Sequence, residues 1–136
     1  MNRNNAFKDT LDKVLTTLKG MLAKAGSADG PKIIYEGYIS GYQYHKGEQI
    51  EHLFQSGTTF SLKREPENPF DDDAVALYYE NSRIGFIPPH SNVEIARMIE
   101  KGQKLKARIA RYEPALEPWE RVYVEVLNES ETAVAF

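Results

Sequence analysis

The chain has 136 residues, a net charge of −3 and no cysteine, which suits one domain with a modest core and rules out disulfides and thiolate-ligated zinc. Its acidic balance argues against a non-specific coat on duplex nucleic acid, which favours basic surfaces. No apolar run approaches the roughly 20 residues that span a bilayer, and the polar stretch Met1–Asp9 is unlike a secretory signal, so the cytoplasm is the expected location.

In chain order, Phe7, Leu11, Val14, Leu15, Leu18 and Leu22 recur at three- and four-residue spacing, which predicts an amphipathic helix over Ala6–Ala25. Its apolar stripe needs a cover, either the rest of the domain, a protein partner or a second copy of the chain. The stripe lacks Trp, and acids interrupt its basic residues, which argues against membrane attachment. Gly26 to Pro31 is a flexible breaker. Ile33–Tyr44 reads as a first strand bent at Gly37 and Gly41, followed by a short helix over Glu48–Phe54. Strands are expected at Thr58–Lys63, Asp73–Tyr79 and Arg83–Ile87.

Ser91 and Glu94 carry capping-box spacing, so a helix should start there and stop at Gly102. Leu105, Ala107 and Ile109 then alternate with Lys104, Lys106 and Arg108, and Glu120–Leu127 reads as the closing strand. Short strands with turn signals and one capped helix predict a mainly β fold, a small closed β-barrel with accessory helices. The expected division is a helix and linker over 1–30, a barrel over 31–128 and a tail over 129–136.

The stretch between the second and third strands carries the densest signal. Arg64-Glu65-Pro66-Glu67-Asn68-Pro69-Phe70-Asp71 holds two prolines around an Asn-Pro step, which continues neither strand nor helix and makes a stiff loop. Phe70 on that loop is either a plug over the core or a surface for a flat ligand. Asp71, Asp72 and Asp73 lack the spacing and glycine of a calcium loop, and Asp beside Asn-Pro stabilises turns through its own backbone. His45, His52 and His90 are scattered, with no metal-ligand spacing, and no phosphate-cradling glycine loop is present. No catalytic residues, metal or cofactor are therefore expected.

The pattern R-E-P-x-N-P-F-D-x-x-A-V-x-L-Y over Arg64–Tyr78, then I-G-F-I-P-P over Ile84–Pro89 and N-x-x-I-A from Asn92, resembles the HIRAN domain. The similarity runs from Ile33 to Leu127. It implies a barrel related to OB and SH3 folds and recognition of single-stranded DNA 3′-ends, in a setting such as repair or replication-fork processing. Carried onto this chain, it implies base stacking by Phe70, 3′-hydroxyl binding by Asp71, pocket shaping by Asn68 and a second aromatic contact from Tyr44.

The residues themselves allow this chemistry. Base stacking on an aromatic ring is worth ~1–3 kcal/mol and tolerates any sequence. A carboxylate repels internal phosphates but accepts from a free terminal hydroxyl. Equally, Asn68, Pro69 and Asp71 are suited to defining the loop alone. The row Lys104, Lys106 and Arg108 is suited to tracking phosphates or to a plain solvated strand face. Six basic residues over Arg97–Arg111 face one acid, while Glu65–Asp73 holds five acids. With Gln43 neutral beside Tyr44 and no charge at Pro88 and Pro89, weak and salt-sensitive binding is expected, about micromolar or poorer. The alternative from another class is a protein-interaction module whose DNA pocket has degenerated.

Overall fold

A computed structural model describes residues 30–132 of the chain. The amphipathic segment predicted over Ala6–Ala25, its proposed self-association and residues 133–136 lie outside the described residues. Lys32–Glu131 form one compact unit.

Six strands run β1 (Pro31–Tyr38), β2 (Thr59–Arg64), β3 (Val75–Tyr79), β4 (Ser82–Phe86), β5 (Leu105–Tyr112) and β6 (Val122–Thr132). They form one sheet in the order β1-β6-β5-β2-β3-β4. The barrel is not closed, in contrast to the sequence-based expectation. β1 and β4 are the sheet's ends, and a lone bridge joins them where Ser40 and Phe86 exchange backbone hydrogen bonds of 2.8 and 2.9 Å. A continuous ladder fails there because β1 stops at Tyr38 instead of running to Tyr44. Gly41 adopts a left-handed φ of +71°, and Tyr42–Tyr44 coil into a 3-10 turn. The same bridge constrains Gly85, whose φ is +149°. A Cβ there would lie 2.4 Å from Ile39 and 2.6 Å from the Ser40 carbonyl.

Alternation along the strands builds the core. Phe60 on β2, Leu77 on β3, Ile84 on β4, Ala107 and Ile109 on β5, and Val122, Val124 and Val126 on β6 are buried together. Each large apolar side chain of this set contributes about 1.5–3 kcal/mol of burial free energy. Val75, Ala76 and Leu77 are buried in succession, so β3 is covered on both faces. α2 (Asn92–Glu100) packs there through Ile95 and Ala96. The earlier α1 (Gly47–Ile50) is a single turn continued by a 3-10 turn over Glu51–Leu53.

Two local expectations are corrected. The Ser91 amide already donates to the Pro88 carbonyl at 2.9 Å in a 3-10 turn, so it is not available to donate to the Glu94 carboxylate, and Ser91 makes no side-chain cap. The C-terminal signal at Gly102 does hold: Gln103 N–H reaches Met98 O and Gly102 N–H reaches Ile99 O, a Schellman pattern. Glu129 and Ser130, assigned to a tail, continue β6, and Leu105 pairs with Asn128 across it. Among the described residues no helix is long and apolar enough to cross a membrane.

Candidate nucleic-acid interface

The loop from Arg64 to Ala74 is braced by its own polar groups. Glu65 N–H donates to Ala74 O at 2.9 Å, and Asn68 N–H closes a turn onto Glu65 O at 3.1 Å, with Pro66 inside it. The Asn68 side chain accepts from Phe70 N–H at 2.9 Å and donates to Glu65 Oε1 at 3.1 Å. Asp71 Oδ1 accepts from Asp73 N–H at 2.9 Å, and its Oδ2 accepts from Asn92 Nδ2 at 2.7 Å. Asn92 is 2% exposed, so a buried donor on α2 holds the Asp71 carboxylate in one orientation. A second tether runs through Arg64, which donates to Glu100 at 2.7 and 2.9 Å and to the Asp72 carbonyl. Arg97 meets Asp73 at 3.1 Å. Hydrogen bonds from Arg64 hold the Glu100 carboxyl below its ordinary range.

Between these anchors the loop displays Phe70, which is 95% exposed. The ring is not a plug over the core. Tyr44, on the turn after β1, is 80% exposed. The two rings line one open cleft of about 870 Å³ with Pro66, Pro69 and Phe86. Behind Phe70 lies a smaller hollow of about 180 Å³ that holds Asp71 and Asn92. Asn68, Phe70 and Phe86 line both. Tyr44, Asn68, Phe70 and Asp71, all predicted from the sequence, are thus neighbours around one loop, with Asp71 and Tyr44 in adjoining hollows.

Lys104, Lys106 and Arg108 line neither hollow. Lys106 pairs with Glu129 at 3.1 Å and Arg108 with Glu125 at 3.0 Å, both on neighbouring β6. Their charges are spent across the strand pair, as on a solvated sheet face.

The charge at the cleft differs from its sequence tally. Glu65 meets Arg83 at 2.9 Å, Asp73 meets Arg64 and Arg97, and Asp71 faces Asn92. The Asp71 and Asp73 carboxylates therefore point to different partners. Among the described residues no group of three His, Asp or Glu side chains is arranged to hold a metal. Arg83 also lies over the Phe86 ring at 5.3 Å, and His45 meets the edge of that ring at 5.4 Å. Burial, then the Arg83 charge, holds the His45 imidazole below its usual pKa, with Glu65 opposing. Arg83, His45 and Phe86 also line the cleft, and the sequence did not single them out as candidates for it. His45 and Arg83 are far apart in the chain, and the Ser40–Phe86 bridge together with a backbone bond from Lys46 N–H to Arg83 O brings their segments together.

A HIRAN domain profile matches residues 34–130. The chain belongs to the HIRAN domain family. Such domains are binding modules rather than catalysts by themselves, and they generally take single-stranded DNA 3′-ends. A crystal structure of a Lactobacillus plantarum protein is similar to this chain at 17% identity and a TM-score of 0.63, covering 73% of this chain and 93% of its own. The HIRAN domain of human HLTF is similar at 14% identity and a TM-score of 0.52, covering 74% of this chain and 81% of its own. At these identities the likeness is one of fold. No curated protein matches.

Proposed function

We propose that this HIRAN domain binds single-stranded DNA by its 3′-end, without catalysis, in a cytoplasmic setting such as repair or replication-fork processing. The reading rests on one observation: Phe70 and Tyr44 stand exposed on a common cleft, although burial of two such rings would have stabilised the fold. Phe70 takes the terminal base on its face. Asp71 accepts from the terminal 3′-hydroxyl, using lone pairs left over from its bonds to Asn92 and Asp73. Asn68 holds the loop in register for both.

The test is best placed on the ligand. Asp71→Ala would strand the buried Asn92 amide and disturb the loop, so a lost affinity would have two explanations. Short oligonucleotides ending in 3′-hydroxyl, 3′-phosphate or 3′-hydrogen avoid this. A 3′-phosphate brings negative charge against Asp71 and should weaken binding about tenfold or more, a difference of about 1.4 kcal/mol. Equal affinity for all three ends would remove end recognition. A second reading, a protein-docking module, is favoured by Trp119, which is 49% exposed on a 3-10 turn and is of a residue type that anchors interfaces. Absence of binding to any single strand would favour it.

A further inference from the structure

Beside the aromatic cleft lies a second hollow of about 500 Å³ that shares Tyr44, His45 and Arg83 with it. Its remaining lining is of a different kind. α1 and the residue before it contribute Lys46 and Gln49, and the β3–β4 hairpin contributes Tyr78, Asn81 and Ser82. A backbone bond from Lys46 N–H to Arg83 O, 3.1 Å long, sets the two segments side by side. The two hollows differ in charge. The aromatic cleft includes Glu65 and Glu67 in its wall, whereas the adjoining hollow has two cations and no carboxylate in its lining. Among the described residues no acid lies within ion-pairing distance of Lys46, although most other cations near the site are paired. Arg83 reaches Glu65 through Nη1, and a guanidinium carries five donors, so its charge is not consumed by that single contact. Lys63 sits 5.1 Å above the Tyr78 ring and adds positive potential at the far edge.

A phosphodiester needs cations and N–H or O–H donors, and a base needs a flat apolar face. The two hollows supply these separately and share a border. Taking the proposed end-binding function as its premise, we propose that this polar hollow is the phosphate path of the bound strand. The 3′-terminal base occupies the cleft at Phe70 and Tyr44. The chain then runs in its 5′ direction past Arg83 and across Lys46, Gln49 and Asn81, leaving over the β3–β4 hairpin. The phosphate-contacting role that the sequence suggests for Lys104, Lys106 and Arg108 falls instead to these residues.

The experiment is calorimetric titration of the full chain with unlabelled di- and octathymidylates bearing a 3′-hydroxyl or a 3′-phosphate, for wild type, Lys46→Glu and Gln49→Glu. Both substitutions fall on exposed side chains, so folding should survive. On this proposal the wild type gains affinity with length. Each variant weakens the octanucleotide about tenfold and shifts the dinucleotide less than about twofold, and the salt slope drops by about one phosphate. Retained preference for the 3′-hydroxyl, with the octanucleotide unaffected by either variant, would overturn the path and leave end recognition standing. So would equal losses at both lengths. Loss of length-dependent binding in the variants, with no preference among ends in the wild type, would keep the path and overturn end recognition.

Discussion

Removal of the Phe70 ring should separate binding from stability. The side chain is 95% exposed and is not part of the buried cluster, while its backbone N–H is held by Asn68. Phe70→Ala therefore keeps the loop's internal bonds, and unfolding free energy should change by less than about 0.5 kcal/mol. The affinity for a single strand should fall by about 1–3 kcal/mol, the value of one base stacked on one ring. At about 1.4 kcal/mol per tenfold that is a loss of roughly 5- to 150-fold. Phe70→Trp should restore it. The two measurements are titration of a 3′-hydroxyl oligonucleotide and urea unfolding of the same protein samples. A shifted unfolding midpoint with intact affinity would mean that the ring packs against the domain. Intact affinity with intact stability would mean that it touches no ligand.

Three further outcomes follow from the same geometry. Asn92→Ala removes a buried donor to Asp71 and should cost about 1–3 kcal/mol in urea unfolding, while narrowing the preference for a 3′-hydroxyl over a 3′-phosphate. Gly85→Ala should lose about 1–3 kcal/mol from overpacking against Ile39, with backbone strain added, and lower the melting temperature without any ligand present. His45 has a folded pKa below its unfolded value, so the unfolded chain takes up the proton first. Stability should fall as pH drops through about 6.5 and level off once the folded imidazole is protonated. The difference in melting temperature between wild type and His45→Gln over pH 5 to 8 isolates this effect, and a pH-independent difference would refute it.

The strand positions of Leu105, Ala107 and Ile109, the inward face of Ile95 and the stop at Gly102 were all legible in the sequence. Each depends on local periodicity or on backbone chemistry within a few residues. The stiff loop was legible for the same reason, because Pro66 and Pro69 restrict their own φ angles and their neighbours'. Its motif also led to Tyr44, Asn68, Phe70 and Asp71 as neighbours. Local spacing misled at Ser91, where the amide was taken by the preceding turn, and at Glu129 and Ser130, which continue β6 and bond to Lys104 just ahead of β5.

What the sequence by itself determined is therefore which faces are apolar and where the chain must turn. Only the tertiary structure decided that Phe70 faces solvent, that the ends of the sheet meet at a single bridge, and that Lys106 and Arg108 are neutralised while Lys46 lies beside Arg83. Those outcomes depend on contacts between segments distant in the chain. Side-chain period is a property of one strand, whereas the partner that buries or neutralises a residue belongs to another.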